Sequence, residues 1–192
     1  MRVVGLVLAA GASRRFGSDK LAASLDGHPL LDHVLDALRA VPLAEIFIVT
    51  RRERAIPGAD DLCVVVNPVP EEGLSSSLRT GLAAIAELEG APVDAILIAL
   101  ADQPSIDPAN IRQLLAAART SNRPVVVPAY DHDGSPNPVL LRRAAFTLGE
   151  EVTGDRGLGP VLAAHPDLVH SVPVRGTNPD VDTEADLARL RR

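Results

Sequence analysis

The chain reads as an α/β protein, a single three-layer α/β/α domain over residues 1–192 built on a mostly parallel central sheet. Three observations predict this. Short runs that are apolar at nearly every position recur along the chain, among them Val3–Leu8, Ile46–Thr50, Leu62–Val66 and Ala95–Leu100. Continuous apolar runs of this length suit strands covered on both faces, the situation of parallel sheets with helical crossovers. Between them, apolar residues repeat at helical spacing, so strands alternate with helices. Finally, no repeat, low-complexity tract or linker divides the 192 residues, a length that fits one domain with a sizeable core.

Taken in order, Val3–Leu8 is a fully buried strand, and Leu30, Leu31, Val34, Leu35 and Leu38 form one face of a helix. Ile46–Thr50 and Leu62–Val66 are short β-branched strands. Leu78, Leu82 and Ile85 mark a second helix face, and Ala95–Leu100 is another buried strand. Asp107-Pro108 supplies an N-cap and a first-turn proline for a helix carrying Ile111, Leu114, Leu115 and Ala118. Val125–Pro128 and Pro138–Leu141 are strands flanking the turn-rich segment DHDGSPN. A helix reaching His165, a strand around Leu168–Val174 and a last helix opened by Thr183 complete the chain. In such a sheet ligands bind beyond the carboxyl ends of the strands. That rule selects the loops after Leu8, Val66, Leu100 and Val174.

Composition excludes several function classes. The net charge is −6, with 19 basic and 25 acidic residues, and there is no Trp, one Tyr and three Phe. Long-range attraction to nucleic acid or an anionic membrane, and stacking platforms for bases, are therefore not expected. Cys63 is the only cysteine, so no disulfide forms within the chain; it reads as a small buried hydrophobe. No apolar run approaches the ~18 residues of a membrane span. The N-terminus enters a strand pattern without the basic region and cleavage site of a signal peptide, so a cytoplasmic location is expected.

Four stretches carry polar chemistry. LAAGASRRFGSDK, Leu8 to Lys20, combines glycines that free backbone N–H groups with the charges of Arg14, Arg15 and Lys20. It is neither a P-loop, which needs Gly-Lys-Ser/Thr, nor a dinucleotide glycine fingerprint. Phosphate binding and a plain basic surface loop both remain open on composition. In NPVPEEGLSSSLRTGL, Asn67 to Leu82, Ser75, Ser76 and Ser77 crowd a helix start where one serine would suffice as a cap. The surplus suggests a polar or anionic ligand, with an over-supplied cap as the alternative. Asp102, in ALADQP, ends a buried strand where a carboxylate can hold Mg²⁺ together with substrate phosphates, or can simply form a turn before proline. Asp180 and Asp182 add carboxylates from another edge loop, which makes metal-assisted phosphoryl chemistry plausible. The turn GDRG, Gly154 to Gly157, reads as a helix start, with a binding turn as the alternative; the five histidines lack ligand spacing and read as surface residues, and no nucleophile elbow is present.

LAAGASRRFGSDK resembles the signature loop of the nucleotidyltransferases with a Rossmann-like fold of the nucleotide-diphospho-sugar transferase type. EGLSSSLRTGL, ALADQP and DVDTEADL are similar to the branch of MobA-like enzymes and molybdenum cofactor cytidylyltransferases, four motifs in order from Leu8 to Leu190. The resemblance implies transfer of a nucleoside monophosphate from CTP, or GTP, to the phosphate of a molybdopterin-type cofactor, with pyrophosphate leaving and Mg²⁺ required. It implies nucleotide contacts from Leu8, Ala9, Ala10, Gly11, Ser13, Arg14, Arg15, Lys20, Asn67, Ser75 and Ser76. Lys20, Arg14 and Asp102 would be catalytic, Asp102 and Asp182 metal ligands, and Ser77, Asn137 and Asp180 acceptor-side residues. The branch usually carries Gly-His-Pro where this chain has Ser135-Pro136-Asn137-Pro138, so Asn137 replaces a histidine. Ala10, where the guanylyl branch tends to have glycine, narrows the base pocket and favours CTP. A molybdenum hydroxylase or its maturation factor is the client such a product implies. The competing expectations are an enzyme of the same fold acting on another small phosphorylated acceptor, and a non-catalytic carrier of the finished cofactor.

Overall fold

The computed structural model describes residues 1–191 apart from Arg14, Glu53, Asp133 and Gly134. The strands are β1 (Val3–Leu8), β2 (Ser24–Leu25), β3 (His28–Pro29), β4 (Ile46–Thr50), β5 (Leu62–Val66), β6 (Ala95–Leu100), β7 (Val125–Tyr130), β8 (Val139–Arg142) and β9 (Val169–Val174). The helices are α1 (Leu30–Arg39), α2 (Leu74–Ala86), α3 (Pro108–Thr120), α4 (Gly159–Ala164) and α5 (Glu184–Leu190). Seven strands form the central sheet in the order β5-β4-β1-β6-β8-β7-β9. Only β8 runs against its neighbours, pairing antiparallel with both β6 and β7. The expected mostly parallel α/β/α architecture is what the chain adopts.

The period-2 alternation of the strands sorts the core into two layers. From β1, Val3 and Val7 face the layer that contains Val34, Leu35 and Leu38 of α1 and Ile111 and Leu114 of α3. Val4, Leu6 and Leu8 face the other layer, with Leu78 and Ile85 of α2 and Leu162 of α4. All six residues of β1 are buried. The central strands therefore have helices on both faces, which is why their apolar runs do not alternate with polar residues. A third cluster joins Phe16 of the first loop, Leu25 and Leu30 beside the β2–β3 hairpin, and Val181 and Leu187 near the C-terminus. It is the packing that fixes the loops at one edge of the sheet.

Three local features differ from expectation. β2 and β3 form a small hairpin turned by Asp26 (φ 51°) and Gly27 (φ 91°), the Asp-Gly pair that suits a turn with two positive φ angles. β5 is an edge strand, so Leu62–Val66 is not buried throughout: Val64 and Val66 are exposed and Cys63 is half-buried. His33, His165 and His170 are half-buried rather than fully at the surface. Among the described residues no helix is long and apolar enough to cross a membrane.

Helix α2 lies close against the sheet at Gly81. A Cβ there would stand 2.5 Å from Leu6 Cδ1 and 3.0 Å from Val49 Cγ2, and both side chains are fully buried with no room to retreat. Despite the better helix propensity of alanine, Gly81→Ala is expected to lower stability by about 1–3 kcal/mol, the usual cost of overpacking. Urea denaturation followed by circular dichroism measures this, with a control substitution at exposed Val64 changing little.

Candidate active site

The sheet register determines where the loops leave. Leu8 of β1 stands level with Val49 of β4 and Leu100 of β6, so the loops starting at Ala9, Arg51 and Ala101 emerge side by side. The ladder continues briefly past the strands, with Ala9 N donating to Val49 O (2.8 Å) and Ala101 N to Leu8 O (3.2 Å). The C-terminal loop joins them through Val181 N, which donates to Asp102 O at 2.9 Å. Val181 is fully buried, while its neighbours Asp180 and Asp182 reach the cleft. An extended backbone puts alternate side chains on opposite sides, and this segment uses the rule to aim two carboxylates the same way.

These loops enclose a cleft of about 680 Å³ at the carboxyl edge of the sheet, within the usual range for a small-molecule site. Leu8, Ala9, Ala10, Gly11, Ser13, Arg15 and Lys20 line it from the first loop, and Asp102, Asp180 and Asp182 from the others. Gly73, Leu74, Ser77 and Asp155 form the opposite wall. At the centre, Lys20 Nζ donates to Asp102 Oδ2 at 2.6 Å and to Asp182 Oδ1 at 3.1 Å. Burial alone would lower the Lys20 pKa, but Asp102 and Asp182 outweigh it and the net shift is upward. The ammonium is therefore charged throughout the physiological range. Arg15 Nη1 reaches Asp182 Oδ2 at 3.2 Å. Asp180 accepts from Gln103 Nε2 at 2.7 Å; desolvation by surrounding atoms and repulsion from Asp102 and Asp182 raise its pKa.

The first loop is held from behind by residues that sequence reasoning passed over. Arg54 forks onto Asp19, Nε to Oδ2 at 2.9 Å and Nη2 to Oδ1 at 2.8 Å. The same guanidinium donates to the carbonyls of Ala9 and Gly11. Asp19 also accepts from Leu21 N, capping the short 3₁₀ turn Lys20–Ala22 that carries the lysine. Two polar atoms of cleft-lining residues, Ser13 Oγ and Arg51 Nε, are buried without a partner within the protein. Buried polar atoms in this state mark a place for a polar ligand.

The second wall differs from what the serines suggested. Residue Gly73 (φ 89°) is the N-cap of α2 and makes no side-chain cap. Asp155 Oδ1, from the loop before α4, accepts from Leu74 N at 3.1 Å, and Gly154 O accepts from Ser75 N at 2.9 Å. The turn at Gly154–Gly157 is thus a brace for α2 rather than a helix start; α4 begins only at Gly159. Ser76 Oγ, with one proton to donate, lies within hydrogen-bond distance of the carbonyls of Gly73 (2.8 Å) and Val69 (3.0 Å). Asn67 Nδ2 donates to Ser76 Oγ and Ser77 Oγ at 2.9 and 3.0 Å. Of this group only Ser77 lines the cleft; Asn67, Ser75 and Ser76 are buried behind its wall and support it. Asn137 lies outside the lining, its Nδ2 on Ser135 Oγ at 2.7 Å and its carbonyl accepting from Tyr130. Arg14 lies outside the described residues.

What could the arrangement do? The carboxylates of Asp102 and Asp182 share one cation, and hard oxygen donors of this kind suit Mg²⁺ or Mn²⁺. Among the described residues no group of three or more His, Cys, Asp or Glu is arranged to hold a metal unaided. The fit is to an ion completed by substrate oxygens. Among the described residues no histidine lines the cleft. A second hollow, about 780 Å³ at the other end of the sheet, has three arginines in its lining. Two of them, Arg142 and Arg143, already donate to the carbonyls of Ser121 and Val93, so it offers no comparable set of convergent groups.

Comparison with known proteins agrees with this picture. Residues 5–169 match the MobA-like NTP transferase domain. The chain is 27% identical over 179 residues to a probable molybdenum cofactor guanylyltransferase of Pyrococcus horikoshii, covering 88% of this chain and 86% of that one. It is 26% identical over 204 aligned positions to the purine catabolism protein PucB of Bacillus subtilis, with 99% and 96% coverage. Among solved structures, Rv0371c from Mycobacterium tuberculosis superposes with a TM-score of 0.83 at 27% identity, covering 99% of this chain and 97% of that one. A structure of Rv0371c in complex with manganese gives a TM-score of 0.77 at 25% identity, with 99% and 98% coverage.

The Asp19–Arg54 pair has a pH signature. Burial raises the Asp19 pKa, but the hydrogen bonds and charge of Arg54 outweigh it, and the net shift is below 3.8. A carboxylate depressed on folding contributes stability above its unfolded pKa and loses it as pH falls through the folded one. Asp19→Asn is therefore expected to lower the thermal midpoint at pH 7, with the difference from wild type closing below pH 3.8. Scanning calorimetry across pH 2.5–7 measures it.

Proposed function

The chain belongs to the MobA-like NTP transferase family, whose members are nucleotidyltransferases, and from that premise we propose that it transfers CMP from CTP to the phosphate of a molybdopterin-type cofactor. The observation that carries the reading is the single ammonium of Lys20 set between Asp102 and Asp182 under the glycine-containing first loop. Such a centre suits a reaction in which one phosphate attacks another. The acceptor phosphate oxygen forms a bond to the α-phosphorus, the bond from that phosphorus to the β-phosphate oxygen breaks, and pyrophosphate leaves. A phosphate monoester is largely ionised near pH 7, so the nucleophile needs no general base. A cleft in which Arg15, Lys20 and Arg51 stand among carboxylates is consistent with charge neutralisation as the main demand. Catalysis then consists of positioning and charge neutralisation.

In this reading Ala9, Ala10 and Gly11 face the base and ribose, and Lys20 neutralises charge on the α-phosphate. Arg15, with Arg14, neutralises the outer phosphates. Asp102 and Asp182 would hold a divalent cation, Mg²⁺ in the cell; the manganese complex of Rv0371c supports a divalent site in a protein of this fold. When bound, that ion supplies positive charge to the triphosphate oxygens. In the same reading Ser77 and Asp180, both part of the cleft lining, face the acceptor. The methyl group of Ala10, which is buried against the cleft, favours the smaller pyrimidine. The guanylyltransferase name of the Pyrococcus relative favours GTP, so the two nucleotides are compared directly. A molybdenum hydroxylase or its maturation factor is the recipient this product implies.

The test is pyrophosphate release with mass detection of the dinucleotide. Mg²⁺, molybdenum cofactor and one of CTP, GTP, ATP or UTP are supplied in separate reactions. A cytosine dinucleotide is expected; a guanine dinucleotide would keep the mechanism and reverse the argument from Ala10. Lys20→Met and Asp102→Ala are expected to lower kcat by roughly 10²–10³ while far-UV circular dichroism is retained. If the wild type binds finished cofactor yet turns over no triphosphate, and Asp102→Ala leaves that binding nearly intact, a carrier role replaces the enzyme.

A further inference from the structure

Arg54 is the most deeply buried cationic side chain at this edge of the sheet, with 4% of its side chain exposed. Its place in sequence gives no hint of a role in the cleft, since it follows β4 by four residues and belongs to none of the motifs. Burying a guanidinium costs several kcal/mol unless nearly every donor is matched. Here all three guanidinium nitrogens find acceptors: Asp19 takes Nε and Nη2, while the carbonyls of Ala9 and Gly11 take Nη1 and Nη2. A hydrophobic residue would fill the space without this cost. The arrangement therefore needs a reason beyond packing.

The two carbonyls provide it. In a planar trans peptide the C=O of one residue and the N–H of the next point in opposite directions. Pinning Ala9 O and Gly11 O to Arg54 turns the N–H groups of Ala10 and Ala12 away from it, and Ala10 and Ala12 both line the cleft. The fork onto Asp19 fixes the other end of the loop, immediately before Lys20, through the cap on the 3₁₀ turn. We infer that Arg54 is a positioning residue for triphosphate binding: one buried guanidinium aims the backbone donors of Ala10 and Ala12 at the nucleotide and sets the distance from them to Lys20. Arg54 does not touch the substrate. It acts through the loop, and the inference rests on the cleft being a nucleoside triphosphate site.

The experiment is isothermal titration of CTP and of GTP, each with Mg²⁺, into the full-length wild type, Arg54→Met and Arg54→Lys, well below each protein's thermal midpoint. Steady-state kinetics are measured in parallel. Arg54→Met is expected to weaken triphosphate binding at least tenfold, the size of one lost charge-assisted hydrogen bond set. The KM for triphosphate should rise by a similar factor while the KM for the acceptor is unchanged. Arg54→Lys keeps the charge but cannot fork onto a carboxylate and two carbonyls, so it should recover only part of the affinity. A purely structural role predicts a lower melting temperature with the wild-type triphosphate Kd, and that result in either variant would overturn the inference. Should Arg54→Met fail to fold, Arg54→Lys decides on the same criterion. If the wild type itself binds no triphosphate in the presence of Mg²⁺, the nucleotide reading fails and the inference fails with it. A wild type that binds alongside variants that bind equally well removes the role of Arg54 alone.

Discussion

Three carboxylates at one edge of a protein that already carries a net charge of −6 would repel one another and any phosphate that approached. The ammonium of Lys20, set between Asp102 and Asp182, is the interaction that makes such an edge possible. It joins segments 82 and 162 residues apart along the chain. It also holds the two carboxylates beside one another at the cleft. The upward shift of the Lys20 pKa reflects the same balance, with two acidic partners prevailing over the cost of burial.

That contact depends on several layers of ordinary packing. The parallel pairing of β1 with β4 and β6 brings the starts of three loops level. Phe16 and Val181 in the third apolar cluster then anchor the first and last of the site loops to the body of the protein. Arg54 and Asp19 fix the first loop from behind, and Asp155 braces the start of α2 on the far wall. In each case a hydrophobic or hydrogen-bonded residue next to a cleft residue restricts where that cleft residue can go. A site assembled from loops attains in this way the rigidity of one built on regular elements.

Much of this was legible from the residues. β1, β4, β5 and β6 have the bounds their apolar runs suggested, because turns interrupt a continuous apolar signal sharply, and in β1, β4 and β6 that signal comes from cover on both faces. Asp107 and Thr183 cap α3 and α5 as their sequence contexts require. Asp102 was visible because it closely follows an apolar run and so sits at the sheet edge, whereas Lys20 and Asp182 stood out through the composition of their loops and the resemblance those loops carry. The Asp26-Gly27 hairpin is hard to read from sequence because strands of two residues leave no alternation pattern.

Other features were hidden for physical reasons. The role of Arg54 is not local: an arginine among arginines in RRER shows its function only when the chain brings Asp19 beside it. The serines of α2 suggested capping and ligand contacts, but a helix end can be capped by a loop distant in sequence, and Asp155 does so. Ser76 was left to tie its hydroxyl to the main chain and Asn67 to tie the serines together. Cys63 and the valines around it form a continuous apolar run yet lie on an edge strand, because composition does not reveal which strand is outermost.

The most direct measurement is the anomalous diffraction of Mn²⁺ in crystals grown with CTP and Mn²⁺. The account predicts a manganese peak at Asp102 and Asp182, triphosphate density along Ala9 to Ser13, and Lys20 Nζ turned from the carboxylates to a phosphate oxygen. A nucleotide bound away from the first loop, or a Lys20 that remains locked to both carboxylates beside bound triphosphate, would contradict it.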